Sequence, residues 1–258
     1  LLLPFFSLRR AVEQRAAHLS GGEKEAADSS ELVTQVLYGD VFKVLESRKK
    51  WSRIRLAFDG YEAWIDNKQF LFIEEENYND ISRQTPIVCE DLVDMVSTKD
   101  NQMLSIVMGS SLNGLAILNH DFEGSSVEAK FAKDNLINTA LLYLNTPYLW
   151  GGKTPFGIDC SGFTQMVYKL NGYRLKRDAS QQVEQGEALS FIEESEPGDL
   201  AFFDNAEGDI THVGIIMKDN YIIHAHGKVR IDRLDHTGIF NIQTSLHTHK
   251  LRVIKRII

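Results

Sequence analysis

Polar and apolar positions along the first half of the chain form short runs rich in β-branched and aromatic residues, at 31–38, 40–46, 51–57, 61–66 and 70–73. Turn-prone residues separate them, such as Gly39-Asp40 and Asp59-Gly60. Strands of this length, with turns roughly every 8–12 residues, predict a small barrel or sandwich. A second set at 87–89, 103–108 and 116–118 lies between loops at 99–101 and 109–114 and predicts a second unit of the same kind. Residues 1–8 fit a strand. Residues 9–30, rich in Ala, Glu and Gln, read as a helical or loose insertion into the first barrel.

Near residue 125 the rhythm changes. Phe131, Leu136, Ala140, Leu141 and Leu144 recur at helical spacing and predict one amphipathic helix over 126–144. A clearer helix runs over 160–171, where Phe163, Met166, Val167 and Leu170 form one apolar stripe and Gly172 occupies the C-cap position. Asp178 with Gln181 three residues later predicts a capping box and a third, short helix. Runs at 199–203, 211–217, 221–226 and 228–232 then predict an antiparallel sheet, with Asp219-Asn220 as a hairpin turn. The expected architecture is α+β, with β-rich units at 1–78 and 79–125 ahead of a mixed domain at 126–258.

Composition narrows the chemistry. The chain has 258 residues, 36 acidic and 28 basic, for a net charge of −8. That balance argues against a nucleic-acid or anionic-membrane partner, both of which need a concentrated basic face. The longest apolar run near the start, 1–6, is far shorter than the roughly 20 residues of a membrane-spanning helix. The first residue is Leu rather than Met, which leaves room for an absent leader and leaves the compartment open between cytoplasm and periplasm or cell envelope.

Only two cysteines are present, Cys89 and Cys160, too few for a disulfide framework or a paired-thiolate zinc site. Cys89 reads as a small buried hydrophobe. Cys160 heads the 160–171 helix, where the helix dipole and free N–H groups favour a thiolate and can form an oxyanion hole. Glycines at 151, 152, 157 and 162 flank it and suggest loops that leave the sulfur open. A thiolate nucleophile needs a base, and His212 at the start of an apolar strand is the candidate. The hairpin brings residue 224 near residue 212, so His224 can hold the second nitrogen of His212. His226 points to the same strand face as His224 and keeps the third member open. A zinc site built from His212, His224 and His226 is the competing reading, though no acidic or Cys ligand accompanies them at a recognised spacing.

The blocks Pro147–Gly152, Asp159–Phe163, Arg177-Asp178 with Gln181-Gln182, Pro197–Leu200, His212–Ile215 and Ile223–Ala225 resemble, in order and spacing, the NlpC/P60 cysteine peptidases of bacterial cell-wall turnover. Leu37–Asp40 and Gly60–Ile65 resemble bacterial SH3-like domains. The resemblance implies a papain-like catalytic domain with Cys160, His212 and His224 as the triad, preceded by SH3-like barrels. It implies cleavage of the γ-D-glutamyl–diamino acid bond in peptidoglycan stem peptides bearing a free L-alanine, by a monomer that needs no cofactor and no metal. Tyr148, Trp150, Asp159 and Ser161 would line the cleft, while Asp178, Asp40 and Tyr61 would meet the substrate amine. An amidase or acyltransferase of the same fold, or a non-catalytic wall-binding protein, is the alternative. Ala179 stands where relatives often carry Ser.

Overall fold

The computed structural model describes residues 5–9, 30–128 and 130–258. Apart from its end residues, the predicted insertion at 9–30 lies outside them, as does the start of the strand expected at 1–8. The chain divides into two compact units, Leu1–Glu128 and Ala129–Ile258. Among the described residues no helix is long and apolar enough to cross a membrane.

In the first unit, β1 (Phe5–Arg9), β2 (Leu32–Leu37), β3 (Phe42–Ser47), β4 (Trp51–Leu56) and β5 (Glu62–Asp66) form one antiparallel sheet in the order β2-β1-β5-β4-β3. Alternating positions send Val33, Ile54, Ala63 and Ile65 into its core. The strand expected at 70–73 is instead a loop leading into a helix, α1 (Glu75–Arg83). Glu75 and Glu76 in the first turn and Arg83 in the last complement the helix dipole, and Pro86 bars continuation. Beyond it come β6 (Val88–Cys89), β7 (Val93–Thr98), β8 (Met103–Val107), α2 (Leu115–Leu118), β9 (His120–Phe122) and β10 (Ser126–Val127). The strand expected at 116–118 is thus the helical turn α2, closed by Asn119 in the left-handed region at φ 54°. Tyr38, Cys89, Val96, Ile106 and Leu112 pack together here, and the Tyr38 hydroxyl meets His120 Nδ1 at 2.8 Å.

The second unit contains α3 (Asn135–Leu141), the hairpin β11 (Lys153–Thr154) and β12 (Gly157–Ile158), α4 (Cys160–Leu170), α5 (Ala179–Gln182) and β13 (Glu187–Leu189). Then follow β14 (Leu200–Asp204), β15 (Ile210–Ile216), β16 (Tyr221–His226), β17 (Lys228–Leu234), β18 (Gly238–Asn241) and β19 (Leu246–Arg256). The long helix expected over 126–144 is reduced to α3, because Ser126 and Val127 pair with β6 instead. The expected antiparallel sheet closes on itself: β19 pairs with both β14 and β18, so β14 to β19 form a six-stranded antiparallel barrel. Ala201, Phe203, Ile216, Ile222, Leu234, Ile239 and Ile254 fill its interior. Helix α4 is buried on every side, Gln165 and Lys169 included, rather than along one stripe. Asp219 and Asn220, at φ 59° and 60°, make the β15–β16 connection the expected two-residue hairpin turn.

Candidate active site

One carboxylate organises the start of α4. Asp159 caps the helix, its Oδ1 accepting the Gly162 N–H at 2.6 Å and its Oδ2 the Gly151 N–H at 2.9 Å. Arg177 lies across the same carboxylate, with Nη1 to Oδ1 at 3.0 Å and Nη2 to Oδ2 at 2.7 Å. Its Nη1 also donates to Ser161 Oγ at 3.0 Å, and Gln182 Nε2 donates to the Ser161 carbonyl at 2.9 Å. The pair is buried and bidentate, which is the geometry that repays desolvation of both charges. A side chain at Gly162 would meet the Gly152 carbonyl at 2.3 Å, so only glycine lets the Cys160 helix come this close to that loop. Asp159 and Ser161, expected along a cleft, are therefore buried and tied into this anchor.

Opposite α4, the barrel supplies a chain of imidazoles. His212 Nε2 and His224 Nδ1 are 2.9 Å apart, and His224 Nε2 is 3.1 Å from Asp232 Oδ2. The strand register sets His224 against Gly214 rather than His212, so the two rings meet on the diagonal. A Cβ at position 214 would come within 2.9 Å of the His224 Cβ. The carboxylate fixes the tautomers in sequence. Asp232 accepts from His224 Nε2–H; His224 Nδ1 then accepts from His212 Nε2–H; His212 Nδ1 keeps its lone pair. Arg230 closes the chain on Asp232, with Nε to Oδ2 at 2.6 Å and Nη2 to Oδ1 at 3.0 Å.

Electrostatics follow from burial. Desolvation lowers His212 well below its ordinary value, helped by the neighbouring His224, His249 and His226, and desolvation also lowers His224 against the pull of Asp232. Both rings are neutral at pH 7. Burial alone would raise Asp232, but hydrogen bonds from His224, Arg230 and the Ile242 N–H outweigh it and hold the carboxyl at about 2.

Cys160 lies against β15 on either side of His212: its Sγ is 4.0 Å from the Thr211 carbonyl oxygen, and the Val213 backbone hydrogen-bonds to it. Burial pushes its thiol up to about 12, the Asp159 charge adds to this, and Arg177 with the Val213 and Ser161 backbones pulls back only in part. Removal from water thus favours the neutral thiol in the resting site, beside a neutral His212 imidazole.

Tyr148 is half-buried, and its phenol is pushed up chiefly by burial, with the nearby Asp159 charge adding to it. Trp150 is exposed. Asp178 is half-buried and forms the expected capping box of α5, its N–H donating to Gln181 Oε1 at 3.2 Å. Asp40 and Tyr61 belong to the first unit. There Asp40 is buried and accepts from the Leu37 N–H at 3.0 Å and the Ser111 hydroxyl at 2.9 Å, while Tyr61 packs on the β2–β5 core. Sequence reading missed Arg177, Asp232 and Arg230 as parts of the site. Arg177 stood inside a quoted block; Asp232 and Arg230 alternate on β17 as any strand's polar residues do. Among the described residues, no group of three or more His, Cys, Asp or Glu side chains is arranged to hold a metal ion.

Residues 145–247 match the model of the NlpC/P60 family. The chain carries an NlpC/P60 domain. Ahead of this NlpC/P60 domain, residues 24–70 match the bacterial dipeptidyl-peptidase SH3 domain. The chain is 27% identical to the γ-D-glutamyl-L-lysine dipeptidyl-peptidase of Bacillus cereus, over 77% of this chain and 68% of that protein. It is also 27% identical to dipeptidyl-peptidase 6 of Lysinibacillus sphaericus, over 80% of this chain and 85% of that one. An NlpC/P60 family protein from Bacillus cereus, known by crystal structure, shares the fold at a TM-score of 0.70 and 23% identity, over 88% of this chain and 82% of that one. NlpC/P60 is a peptidase family, and the family match covers Cys160, His212, His224 and Asp232.

Proposed function

We propose that this chain is a cysteine peptidase that hydrolyses the γ-D-glutamyl–diamino acid bond of peptidoglycan stem peptides carrying a free amino-terminal L-alanine. The observation that carries the reading is the chain His212–His224–Asp232, which leaves the lone pair of His212 Nδ1 as a base on the strand that packs against Cys160. Substrate class is supported by the names of the two relatives and by the SH3 domain that accompanies the NlpC/P60 domain.

The starting pair is neutral, so proton transfer accompanies attack. The Cys160 thiol proton passes to His212 Nδ1 as sulfur bonds to the γ-carbonyl carbon. The Cys160 N–H, at a helix position with no intrahelical acceptor, receives the developing oxyanion. The C–N bond then breaks, and His212 returns the proton to the leaving amine, giving a thioester on Cys160. Water, deprotonated by His212, hydrolyses the thioester and regenerates the thiol. His224 and Asp232 orient His212 and stabilise its charged form, and Arg230 keeps Asp232 ionised. Tyr148 and Trp150 flank the reacting bond, and Asp159 and Ser161 act by holding the helix start. Asp178, half-buried at the start of α5 in this unit, receives the substrate amine. Asp40 already accepts at both oxygens, so its replacement is expected to disturb the 37–40 turn first.

Mass-spectrometric digestion of L-Ala-γ-D-Glu-diamino acid tripeptides, amine free or acetylated, tests this. Release of L-Ala-γ-D-Glu from the free peptide only, lost in Cys160→Ala, is the expected result. Equal cleavage of both peptides would remove the amine role; full activity in Cys160→Ala would remove the nucleophile.

A further inference from the structure

His249 on β19 lies outside the stretch that the family model matches and has no part in the hydrogen-bonded chain. It nevertheless makes the closest ring contact of the site. Its imidazole stacks on His212 with centroids 4.2 Å apart and planes inclined by 25°. It also meets His226 at 4.8 Å and 88°, His224 at 5.8 Å and 81°, and Phe203 at 5.9 Å and 65°. Thr248 Oγ1 hydrogen-bonds its Nδ1 at 2.8 Å. Gly238 lets β19 approach here: a Cβ on it would meet the His249 carbonyl oxygen at 1.8 Å.

We propose that His249 is a positioning residue for His212, a flat wall that keeps the ring in the plane where Nε2 reaches His224 and the Nδ1 lone pair stays unengaged by the histidine chain. The inference rests on the peptidase reading given above. A hydrogen bond at Nε2 alone leaves the ring free to swing about that contact. A second ring stacked on its face removes the swing, and offset stacking is a favoured aromatic geometry. The wall also matters electrically. The groups facing this pair are His224 and His226 from β16, Asp232 from β17 and the non-titrating Phe203 from β14. Burial and the two histidines of β16 hold His249 down at about 4 against the pull of Asp232, so it is neutral when His212 takes the thiol proton. A neutral ring against the transient imidazolium is tolerated, whereas a second cation there is repelled.

The test compares His249→Phe, which keeps a flat face, with His249→Ala, which removes it and admits water. His249→Ala is expected to lower kcat roughly 10- to 100-fold with KM within twofold, the scale of a misplaced catalytic group. Water at the vacated face also weakens the desolvation of His212, so the acid limb of kcat/KM moves toward higher pH. His249→Phe is expected to keep kcat within threefold of wild type. If Phe loses as much as Ala, or if Ala changes neither kcat nor the acid limb, the positioning role is overturned. If Ala does not fold, His249→Phe still decides by the same threefold limit. Nitrogen NMR of labelled histidine reads the same inference without substrate: His212 should titrate at higher pH in Ala and keep the Nε2–H tautomer in Phe. Wild-type inertness toward the peptides would sink the substrate reading, while the NMR comparison would still decide the role of His249.

Discussion

Two aspartate–arginine pairs, one buried throughout and one with a partly exposed arginine, flank the site and do different work. On the helix side, Asp159 and Arg177 bind backbone and hydroxyl groups: the Gly151 and Gly162 N–H and Ser161 Oγ. On the barrel side, Asp232 and Arg230 hold a titratable ring, His224, which in turn holds His212. Both pairs are bidentate. The first fixes where the sulfur is; the second fixes which nitrogen of the base carries a proton. An identical motif thus serves position in one place and protonation in the other, and the two can be broken separately.

The largest expected effect comes from breaking the helix-side pair. Arg177→Leu leaves the Asp159 carboxylate buried without its cation and should cost about 3–5 kcal/mol of stability in a denaturant titration. A loss below 1 kcal/mol would mean the anchor is not structural. Breaking the barrel-side pair should act on rate instead. Asp232→Asn removes the charge and replaces one acceptor oxygen by an NH2 donor, so the tautomers of His224 and His212 are no longer fixed, and kcat should fall roughly 100-fold or more while the folded state persists. Equal loss of stability in the two variants would erase the distinction.

The pH dependence sharpens the contrast. His212 and His224 have folded values below their unfolded ones, so the unfolded chain binds more protons, and stability is lost as pH falls below about 6.5. Each contributes a slope of about 1.4 kcal/mol per pH unit. Asp232 acts with the same sign at lower pH: its lowered carboxyl adds stability that is present above the unfolded value near 3.8 and is lost as pH falls through about 2. Denaturant midpoints measured from pH 7.5 to 5 should therefore fall in the wild type and fall less in His212→Phe. The smallest effect is on the sulfur. With the Cys160 thiol near 12 and Cys89 near 11, both pushed up chiefly by burial, alkylation by iodoacetamide should rise about tenfold per pH unit through neutrality without a plateau. A plateau below pH 7 for Cys160 would indicate a resting thiolate and contradict the neutral pair.

Much of this site was legible because its chemistry is local in sequence. Cys160 sits at a recognisable helix start, and Asp219-Asn220 is a turn signal that brings His212 and His224 together. What stayed hidden depends on contacts with no periodic signature. The closure of the barrel depends on β19, a strand that mixes His, Lys and Arg with only a few apolar residues and a register shift at Phe202/Phe203 in its partner. His249 therefore gave no sign of lying on His212. Asp232 and Arg230 are polar strand residues on β17, and Asp232 is buried by contacts with His224 of β16 and the Ile242 N–H that no sequence period announces. The helix expected at 126–144 failed for a related reason, since pairing with β6 overrode a helical spacing of apolar residues.

The central claim is a covalent one: Cys160 carries the acyl group between cleavage and hydrolysis. Acid quenching of the chain mixed with L-Ala-γ-D-Glu-diamino acid peptide, followed by intact-mass and peptide mapping, measures it directly. An adduct with the mass of L-Ala-γ-D-Glu less water, mapped to Cys160 and absent in Cys160→Ala, is the expected result. Product release without any adduct on Cys160, or undiminished release by Cys160→Ala, would contradict it.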